Sequence, residues 1–471
     1  MTIFKSHVVK PLVLASVISA MSLNTSAAPI LLGIGNLTGA SDKSGLTGTL
    51  ESGVKENVLG GLGSGLAYAG GNTFLALPDR GPNAEVYAGG AAIDNTTSYI
   101  PRFHTLTMEL TASASGLPFS ITPTLQSTTL FYSPTALQYA VNGAPLQNTA
   151  DHFYFSGRSD NFGSGSSTNP NNGRFDPEGI RVSNDGKSVF ISDEYGPYVY
   201  QFDRATGERI KTFQLPSSLA ANNLSASGDN EINGNTVGRV ANKGMEGLAI
   251  TPDGKTLVGI MQAPLAQDTN KNVRIVTIDI ASGATKEFAY KLTDGSGVSE
   301  IVALNSHEFL VDERDGKGLG DGSNAAVKKI FKIDLAGAQE VGGLSGDLSS
   351  KAVSKTLTLD FKEALVTAGI LPKNIPAKIE GMTFGKDILF NNEILHTLWV
   401  ANDNDFLNTI TDSKHPLGFN NTNNFYVFGF SDKDLQHYLA QQIATTVPEP
   451  SSALLILLGL AGISTLRRTN K

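Results

Sequence analysis

The chain has 471 residues, with 50 glycines, 17% charged side chains, a formal net charge of -8 and no cysteine. The missing cysteines exclude a disulfide framework and a thiolate metal site. The acidic balance argues against nucleic acid as a partner and for cationic ligands or metal.

Residues 1–27 hold Lys5 and Lys10, an apolar run from Leu12 to Leu23, and then Thr25-Ser26-Ala27. A basic n-region, an h-region and a small-residue cleavage site predict a signal peptide. Cleavage is expected after Ala27, since cutting after Ala28 would leave Pro29 beside the scissile bond. A strand over Pro29 to Leu37 follows.

The body, residues 28–440, repeats one layout. Each copy starts on an acidic residue beside a small or apolar one, continues through a strand-like run and ends in a second polar cluster. The first copy is degenerate and runs from Gly63-Ser64-Gly65-Leu66 to Pro78-Asp79-Arg80-Gly81. The next runs from Asp176-Pro177-Glu178-Gly179 to Asp193-Glu194-Tyr195-Gly196, and the third from Gly244-Met245-Glu246-Gly247 to Met261-Gln262-Ala263-Pro264. The fourth joins Val298-Ser299-Glu300-Ile301 to Asp312-Glu313-Arg314-Asp315, and the fifth joins Ile379-Glu380-Gly381-Met382 to Asn402-Asp403-Asn404-Asp405. A supersecondary unit recurring along a chain marks a repeat architecture.

Within a copy the hydrophobic period is two, bounded by turn residues. Gly179 to Ser183, Ser188 to Ser192, Tyr198 to Asp203 and Arg209 to Leu215 predict four strands, with turns at Asn184-Asp185-Gly186 and Ala205-Thr206-Gly207. The third copy repeats this over Gly247 to Ile250, Thr256 to Ile260, Val273 to Ile280 and Lys286 to Leu292. Four antiparallel strands per copy predict an all-β fold, a β-propeller of five to six four-stranded blades. The last copy shows only three strands, and Pro29 to Leu37 is expected to supply its fourth, closing the ring and removing exposed edges. The polar, Gly- and Asn-rich stretch from Ser133 to Arg174 predicts a long loop or a sixth blade. One helix-like insert, Phe361 to Ala368, precedes the last copy.

After a linker at 441–446, the segment 447–471 reads Val447-Pro448-Glu449-Pro450, a nearly uncharged run from Ser451 to Leu466, and Arg467-Arg468. This Pro-Glu-Pro, span, Arg-Arg order resembles the PEP-CTERM sorting signal. The resemblance implies handling by an exosortase, a C-terminal membrane-spanning sorting helix as a transient or permanent anchor, and a place at the surface or in the matrix of a Gram-negative bacterium. The span is short for a bilayer, which needs ~20 residues, and its flanking cations would snorkel.

In a propeller blade the start of the innermost strand and the end of the second lie on one face. The pairs 178/194, 246/262, 300/313, 64/79 and 380/403 bracket successive hairpins. They predict an axial ring of Glu178, Glu246, Glu300 and Glu380, joined by Asp79, Asp193, Glu194, Glu313, Asp403 and Asp405, with Arg80 and Arg314 as the nearby cations. So many carboxylates cannot all stay ionised and unpaired. Hard oxygen ligands suit calcium, expected on Glu178, Glu246, Glu300, Glu380, Asp79 and Asp403. Taken singly, each acid is ordinary strand-end turn chemistry, and the case lies in the recurrence. Asp268-Thr269-Asn270-Lys271-Asn272 alternates oxygen side chains but lacks the remaining EF-hand positions, and is expected to be a surface loop. Neither HExxH, a Gly-x-Ser-x-Gly elbow nor a Walker-type loop occurs. Ser64 has no histidine near it in sequence and is expected to line the mouth as a small residue.

These motifs resemble those of the phytase-like domain proteins, described as having esterase-like activity of phytase. The matching pieces are Gly63-Ser64-Gly65-Leu66-Ala67 with Asp79-Arg80-Gly81, Asp176-Pro177-Glu178-Gly179-Ile180, and Lys243-Gly244-Met245-Glu246-Gly247-Leu248 with Met261-Gln262-Ala263-Pro264-Leu265. Ser299-Glu300 with Asp312-Glu313-Arg314-Asp315, and Ile379-Glu380-Gly381-Met382 with Asn402-Asp403-Asn404, complete them. No matching motif falls in the polar insert before Arg174. The resemblance implies a propeller that hydrolyses small-molecule phosphate or carboxylic esters. In that expectation a calcium polarises the ester and activates a water, Glu194 or Glu313 is the general base, and Arg80 or Arg314 steadies the developing charge. Two alternatives share the same face: a non-catalytic propeller binding polysaccharide or protein, and a calcium-dependent lactonase.

Overall fold

The computed structural model describes residues 29–444 apart from 85, 88, 89, 92–94, 141, 142, 164 and 165. The expected signal peptide and the apolar tail lie outside these residues. Among the described residues no helix is long and apolar enough to cross a membrane.

The period-two segments are strands, and they assemble into five four-stranded units. The second unit consists of β6 (Pro177–Val182), β7 (Ser188–Asp193), β8 (Tyr198–Asp203) and β9 (Arg209–Gln214), paired in that order. The third is β10 (Met245–Ile250), β11 (Thr256–Met261), β12 (Asn272–Asp279) and β13 (Thr285–Lys291). The fourth is β14 (Gly297–Ala303), β15 (Glu308–Arg314), β16 (Lys328–Asp334) and β17 (Lys355–Asp360). Turn chemistry sets these hairpins. Gly254 takes φ 72° and its N–H donates to Thr251 O at 2.8 Å, while the Asp253 carboxylate accepts from Lys255 N and Thr251 Oγ1.

The first and last units share one nine-stranded sheet. The first is β2 (Gly65–Tyr68), β3 (Thr73–Leu77), β4 (Arg102–Ala112) and β5 (Phe119–Leu130). The last is β18 (Ile379–Phe384), β19 (Glu393–Asn402), β20 (Asn423–Phe430) and, as expected, the N-terminal strand β1 (Ile30–Leu37). Strand β1 pairs antiparallel with β20 along its length and parallel with β5 at Gly33–Phe119 and Ile34–Ser120. The hairpin before β19 turns on Asn391 and Asn392, both at positive φ, so the long spacing in this copy is an extended hairpin.

The innermost strands β2, β6, β10, β14 and β18 pack against one another in cyclic order, with β18 back against β2. This layout is consistent with a β-propeller, and five units close it. The described residues of the stretch 133–174 form no further blade; Tyr132–Ser133 pairs with Phe153–Tyr154, and isolated bridges join Gln138 to Asn172 and Ser156 to Arg174. Apolar side chains fill the layers between neighbouring units, for example Phe103, Phe131, Phe175, Ile191 and Tyr200 between the first and second. The helix α1 (Phe361–Thr367) starts on Asp360, whose carboxylate accepts from Glu363 N, and it buries Phe361 and Leu365.

The β1–β5 seam is tight. A Cβ on Gly35 would stand 2.5 Å from Ile121 O. Gly35→Val should therefore wedge the seam open and destabilise the fold by about 1–3 kcal/mol in urea unfolding, as overpacking does; unchanged stability would show that β1 is not held there.

Candidate functional site

The first strand of each unit carries a β-bulge near its start. The pairing register slips after Pro177, Met245, Val298 and Ile379, and in the first unit Gly63 and Gly65 both face Leu77. A bulge leaves one residue unpaired and re-aims its side chain. The bulged positions are Ser64, Glu178, Glu246, Ser299 and Glu380. The residue that follows is glycine in four units, because the next inner strand lies against it: a Cβ on Gly247 would meet Glu300 Cα at 2.8 Å, and one on Gly381 would meet Leu66 N at 2.8 Å. The returning strands deliver Asp79, Glu194, Gln262, Arg314 and Asp403 to the same end.

These side chains enclose one axial cavity. It is lined by Ser64, Asp79, Arg80, Glu178, Glu194, Asn242, Glu246, Gln262, Arg314, Lys378, Glu380 and Asp403, around a space of about 40 Å³. That volume holds a few water-sized groups or an ion, not an organic ligand. The structure thus brings together eight expected residues: Glu178, Glu246, Glu380, Asp79, Asp403, Glu194, Arg80 and Arg314.

Four expected residues lie outside the lining. Asp193 accepts from Asp176 N and Tyr195 N, both at 3.1 Å, and Asp405 pairs with Lys378; Glu300 and Glu313 are held by other partners. Glu300 occupies the position that is glycine in the other units, one step past the bulge. Its carboxylate accepts from Leu248 N at 3.0 Å and Ile301 N at 2.9 Å and pairs with Arg181 at 3.0 Å. Arg181 in turn donates to Leu66 O and Ile301 O, so the pair crosses between units and ties them together. Glu313 likewise precedes the ring position held by Arg314. Its oxygens accept from Tyr290 Oη, Thr293 N, Asp294 N, Gly295 N and Lys355 Nζ, which anchors the 293–295 loop and holds its pKa below the usual range although burial pulls the other way. Neither residue lines the cavity. In the fourth unit the repeat is shifted by one, and Ser299 with Arg314 are the equivalents of the acid pair.

The residues that sequence reasoning did not single out are Lys378 and Asn242 in the lining, and Asp176 behind it, whereas Gln262 stands in the lining as its pairing with Glu246 led one to expect. Arg80 and Arg314 are therefore not the sole cations. Lys378 Nζ sits 2.6 Å from both Asp403 and Asp405. Arg314 donates from Nε to Ser299 Oγ and from Nη2 to Glu380, and lies 3.8 Å from Glu246. Arg80 binds Asp176 through its backbone N–H at 3.0 Å and through Nη1 at 3.4 Å, with Asp79 at 3.9 Å. The other cation candidate, Asp268 to Asn272, is closed: Asp268 grips Arg274 at 2.7 and 2.9 Å, and Asn270 is bonded to Asp347.

Compensation is unequal around the ring. On the side of the fourth and fifth units, Glu380 and Asp403 each have a cation. On the side of the second and third, Glu194 Oε2 and Glu246 Oε2 are buried with no hydrogen-bond partner. Glu194 Oε1 accepts from Gly244 N at 3.0 Å and Glu246 Oε1 from Gln262 Nε2 at 2.6 Å, which orients both carboxylates. One oxygen each from Asp176, Glu178 and Glu194 fall within 4.8 Å of one another.

The electrostatics follow from burial. Desolvation, with repulsion from Glu246 and Asp176, lifts Glu178 well above the ordinary carboxyl range, and desolvation with Glu194 and Glu380 does the same to Glu246. Burial pushes Asp79, Asp176 and Glu380 up to about 7, and raises Glu194. Burial works against the cations, but facing acids win: Asp176 keeps Arg80, Glu380 keeps Arg314 and Asp403 keeps Lys378 above their usual values.

The family described as "Phytase-like: Esterase-like activity of phytase" matches residues 57–406. An "Uncharacterized secreted protein" of Arthroderma benhamiae is 26% identical over 444 residues, covering 80% of this chain and 83% of its own. Among solved structures, a putative 6-phosphogluconolactonase from Bacteroides uniformis aligns over 76% of this chain and 83% of its own at 13% identity and TM-score 0.29. The Cps50 (Swd1) β-propeller domain of Myceliophteria thermophila aligns over 47% of this chain and 51% of its own at 10% identity and TM-score 0.22.

Two outcomes follow. A carboxyl whose pKa is raised on folding contributes stability that is full below its unfolded value, near pH 4, and is lost as pH rises through the folded value, about 7 for Asp79, Asp176 and Glu380. Without metal, Glu178→Gln and Glu246→Gln should thus raise urea stability at pH 8 and change it little at pH 4.5; a loss at pH 8 would contradict the crowding. Glu300→Ala leaves Arg181 buried without its carboxylate and should cost about 3–5 kcal/mol in the same measurement.

Proposed function

The chain belongs to the phytase-like family described by esterase-like activity of phytase, and on that footing we propose that it is an exported hydrolase of phosphate or carboxylic esters that works at the axial cavity with a divalent cation. The observation that carries this reading is the pair of unpartnered buried oxygens, Glu194 Oε2 and Glu246 Oε2, in a water-sized acidic space. Buried charge of this kind is stable only when paired or coordinated.

The donor set fits a hard cation. Oxygens at ~2.3–2.6 Å from a calcium ion stand at most ~5 Å apart across it, and the Asp176, Glu178 and Glu194 oxygens meet that limit. Asp176 is shared with Arg80, so Glu178 and Glu194 are the principal holders. Such an ion, when bound, polarises the ester and lowers the pKa of water. Glu194, expected as a base from its place in the sequence, is on this reading a ligand.

The chain's own groups do the rest. Glu246 lies outside the trio and has one oxygen free; burial and facing acids raise its pKa, and a cation held by Glu178 and Glu194 would return it to the ionised form that accepts a proton from an attacking water. Gln262 and Arg314 hold that carboxylate in position. Arg80 and Arg314, both at the cavity wall, are the donors for charge developing on the ester oxygens. Lys378 keeps Asp403 and Asp405 neutralised, so the surplus negative charge stays with Glu178, Glu194 and Glu246. The secreted relative supports export, and sorting through a PEP-CTERM-type tail is part of the same proposal.

The test is a substrate panel of p-nitrophenyl phosphate, inositol phosphates, p-nitrophenyl esters and lactones, with calcium or EDTA. Glu178→Gln should lose cation binding and turnover together, whereas Glu246→Gln should keep cation binding and lose at least ~100-fold in kcat, the usual scale for a general base. Full activity in both variants would end the proposal. A calcium-dependent melting shift without hydrolysis of any ester would instead favour a binding module.

A further inference from the structure

The end of the propeller away from the acid ring carries a surface of a different kind. Each first strand starts at the ring, so its far end and the hairpin turn that follows lie on the opposite face. In the second, third and fourth units that turn is short and polar, at Asn184-Asp185-Gly186, Pro252-Asp253-Gly254 and Asn305-Ser306-His307. In the fifth unit the hairpin runs on past Phe384–Leu398, the last pair of β18 with β19. Ile388–Phe390 pairs there with Glu393–Leu395 around Asn391 and Asn392. The cross-strand pair near its tip, Leu389 and Ile394, is 72% and 57% exposed.

Two further features stand on this face. A groove of about 490 Å³ runs beside the hairpin, lined by Leu110, Ile388 and Leu389 and backed by the buried Phe74, Met108 and Trp399. The last described residues cross the same face. Leu439 N donates to Leu304 O, Gln441 Nε2 to Val182 O and Ala444 N to Asn184 O, each at 2.8 Å, and each acceptor lies at or just past the far end of a first strand. Strand β1 also begins here, because Ile30 pairs with Gly429, which pairs with Thr397 near the start of β19. Beyond Ala444, residues 445–450 reach at most about 20 Å before the uncharged run from Ser451 to Leu466. A partner that takes up that run is therefore drawn toward the far face.

We propose that the far face docks on a lipid bilayer, with the Leu389–Ile394 tip in the interfacial layer and the acid ring opening away from the lipid. The inference rests on the reading of the tail as a membrane segment for the nearness of the bilayer, and on the hairpin for the contact itself. A projecting apolar pair is stabilised when lipid covers it, and two membrane signals together hold a protein more firmly than one. The groove and hairpin carry Glu109, Asp387 and Glu393 against Lys386. That balance fits neutral, zwitterionic lipid and disfavours an anionic surface. Docked in this way, the cavity faces substrates that are dispersed in solution or matrix.

The chain has no cysteine, so one polarity-sensitive dye can be placed by substitution in the full chain. Glu393→Cys puts it beside the tip, and Leu417→Cys puts it on a fully exposed site in the loop after Asp403, on the mouth side. With phosphatidylcholine vesicles, the dye at 393 should shift to the blue and lose most of its quenching by iodide, while the dye at 417 stays unchanged. Leu389→Ser with Ile394→Ser should abolish the shift at 393 and leave thermal unfolding unaltered. Three results overturn the proposal: no shift at 393 in vesicle-bound chain, a shift at 417 instead, or a shift at 393 that needs no vesicles and grows with protein concentration. The last would make a second copy the partner. Leu457→Arg, within the uncharged run, separates the two readings. Flotation with vesicles that is lost on this substitution, without protection at 393 in the parent, keeps the tail as anchor and refutes docking. Flotation and protection that survive it keep docking and refute the tail as anchor, and a chain that never floats refutes both.

Discussion

Confinement of like charges at the axis is the constraint on which the rest depends. Five inner strands pack closely enough that glycine is required at the contact, as at Gly247 and Gly381, and the bulge before each glycine turns one side chain inward. Where that side chain is glutamate, desolvation and repulsion act together and raise its pKa. The fold tolerates this through three cations, Arg80, Arg314 and Lys378, held at the same end. It does not distribute them evenly. Around the cavity Glu380 and Asp403 each have a cation, whereas Glu194 and Glu246 retain free oxygens; outside the lining, Asp312 of the fourth unit is also buried without a hydrogen-bond partner. On the proposed function, this asymmetry in a scaffold built by repetition is what would make one side of the cavity a binding site.

Much of this was legible in the sequence because the repeat encodes it twice, once in hydrophobic period and once in polar spacing. Four strands per copy, the turns on Asn184-Asp185-Gly186 and Thr251-Pro252-Asp253-Gly254, and closure by the N-terminal strand all follow from local chemistry that tertiary packing reinforces. The fourth unit shows where such reading fails. Glu300 and Glu313 carry the expected residue type, but a bulge moves the ring position by one, and type alone cannot reveal a one-residue register change. Spacing could have: Ser299 and Arg314 are separated as Ser64 and Asp79 are, whereas Glu300 and Glu313 are closer.

Lys378 was not readable for a different reason. Lys378 stands ahead of the strand, outside the repeated motif, and its partners Asp403 and Asp405 are distant in sequence. Long-range convergence of this sort leaves no periodic trace.

The most direct test of the central claim is the position of a bound ion. In a crystal soaked with manganese, the account predicts one anomalous peak within bonding distance of Glu178 and Glu194. A peak centred on Glu380 and Asp403, or none in the axial cavity at full soaking concentration, would contradict it.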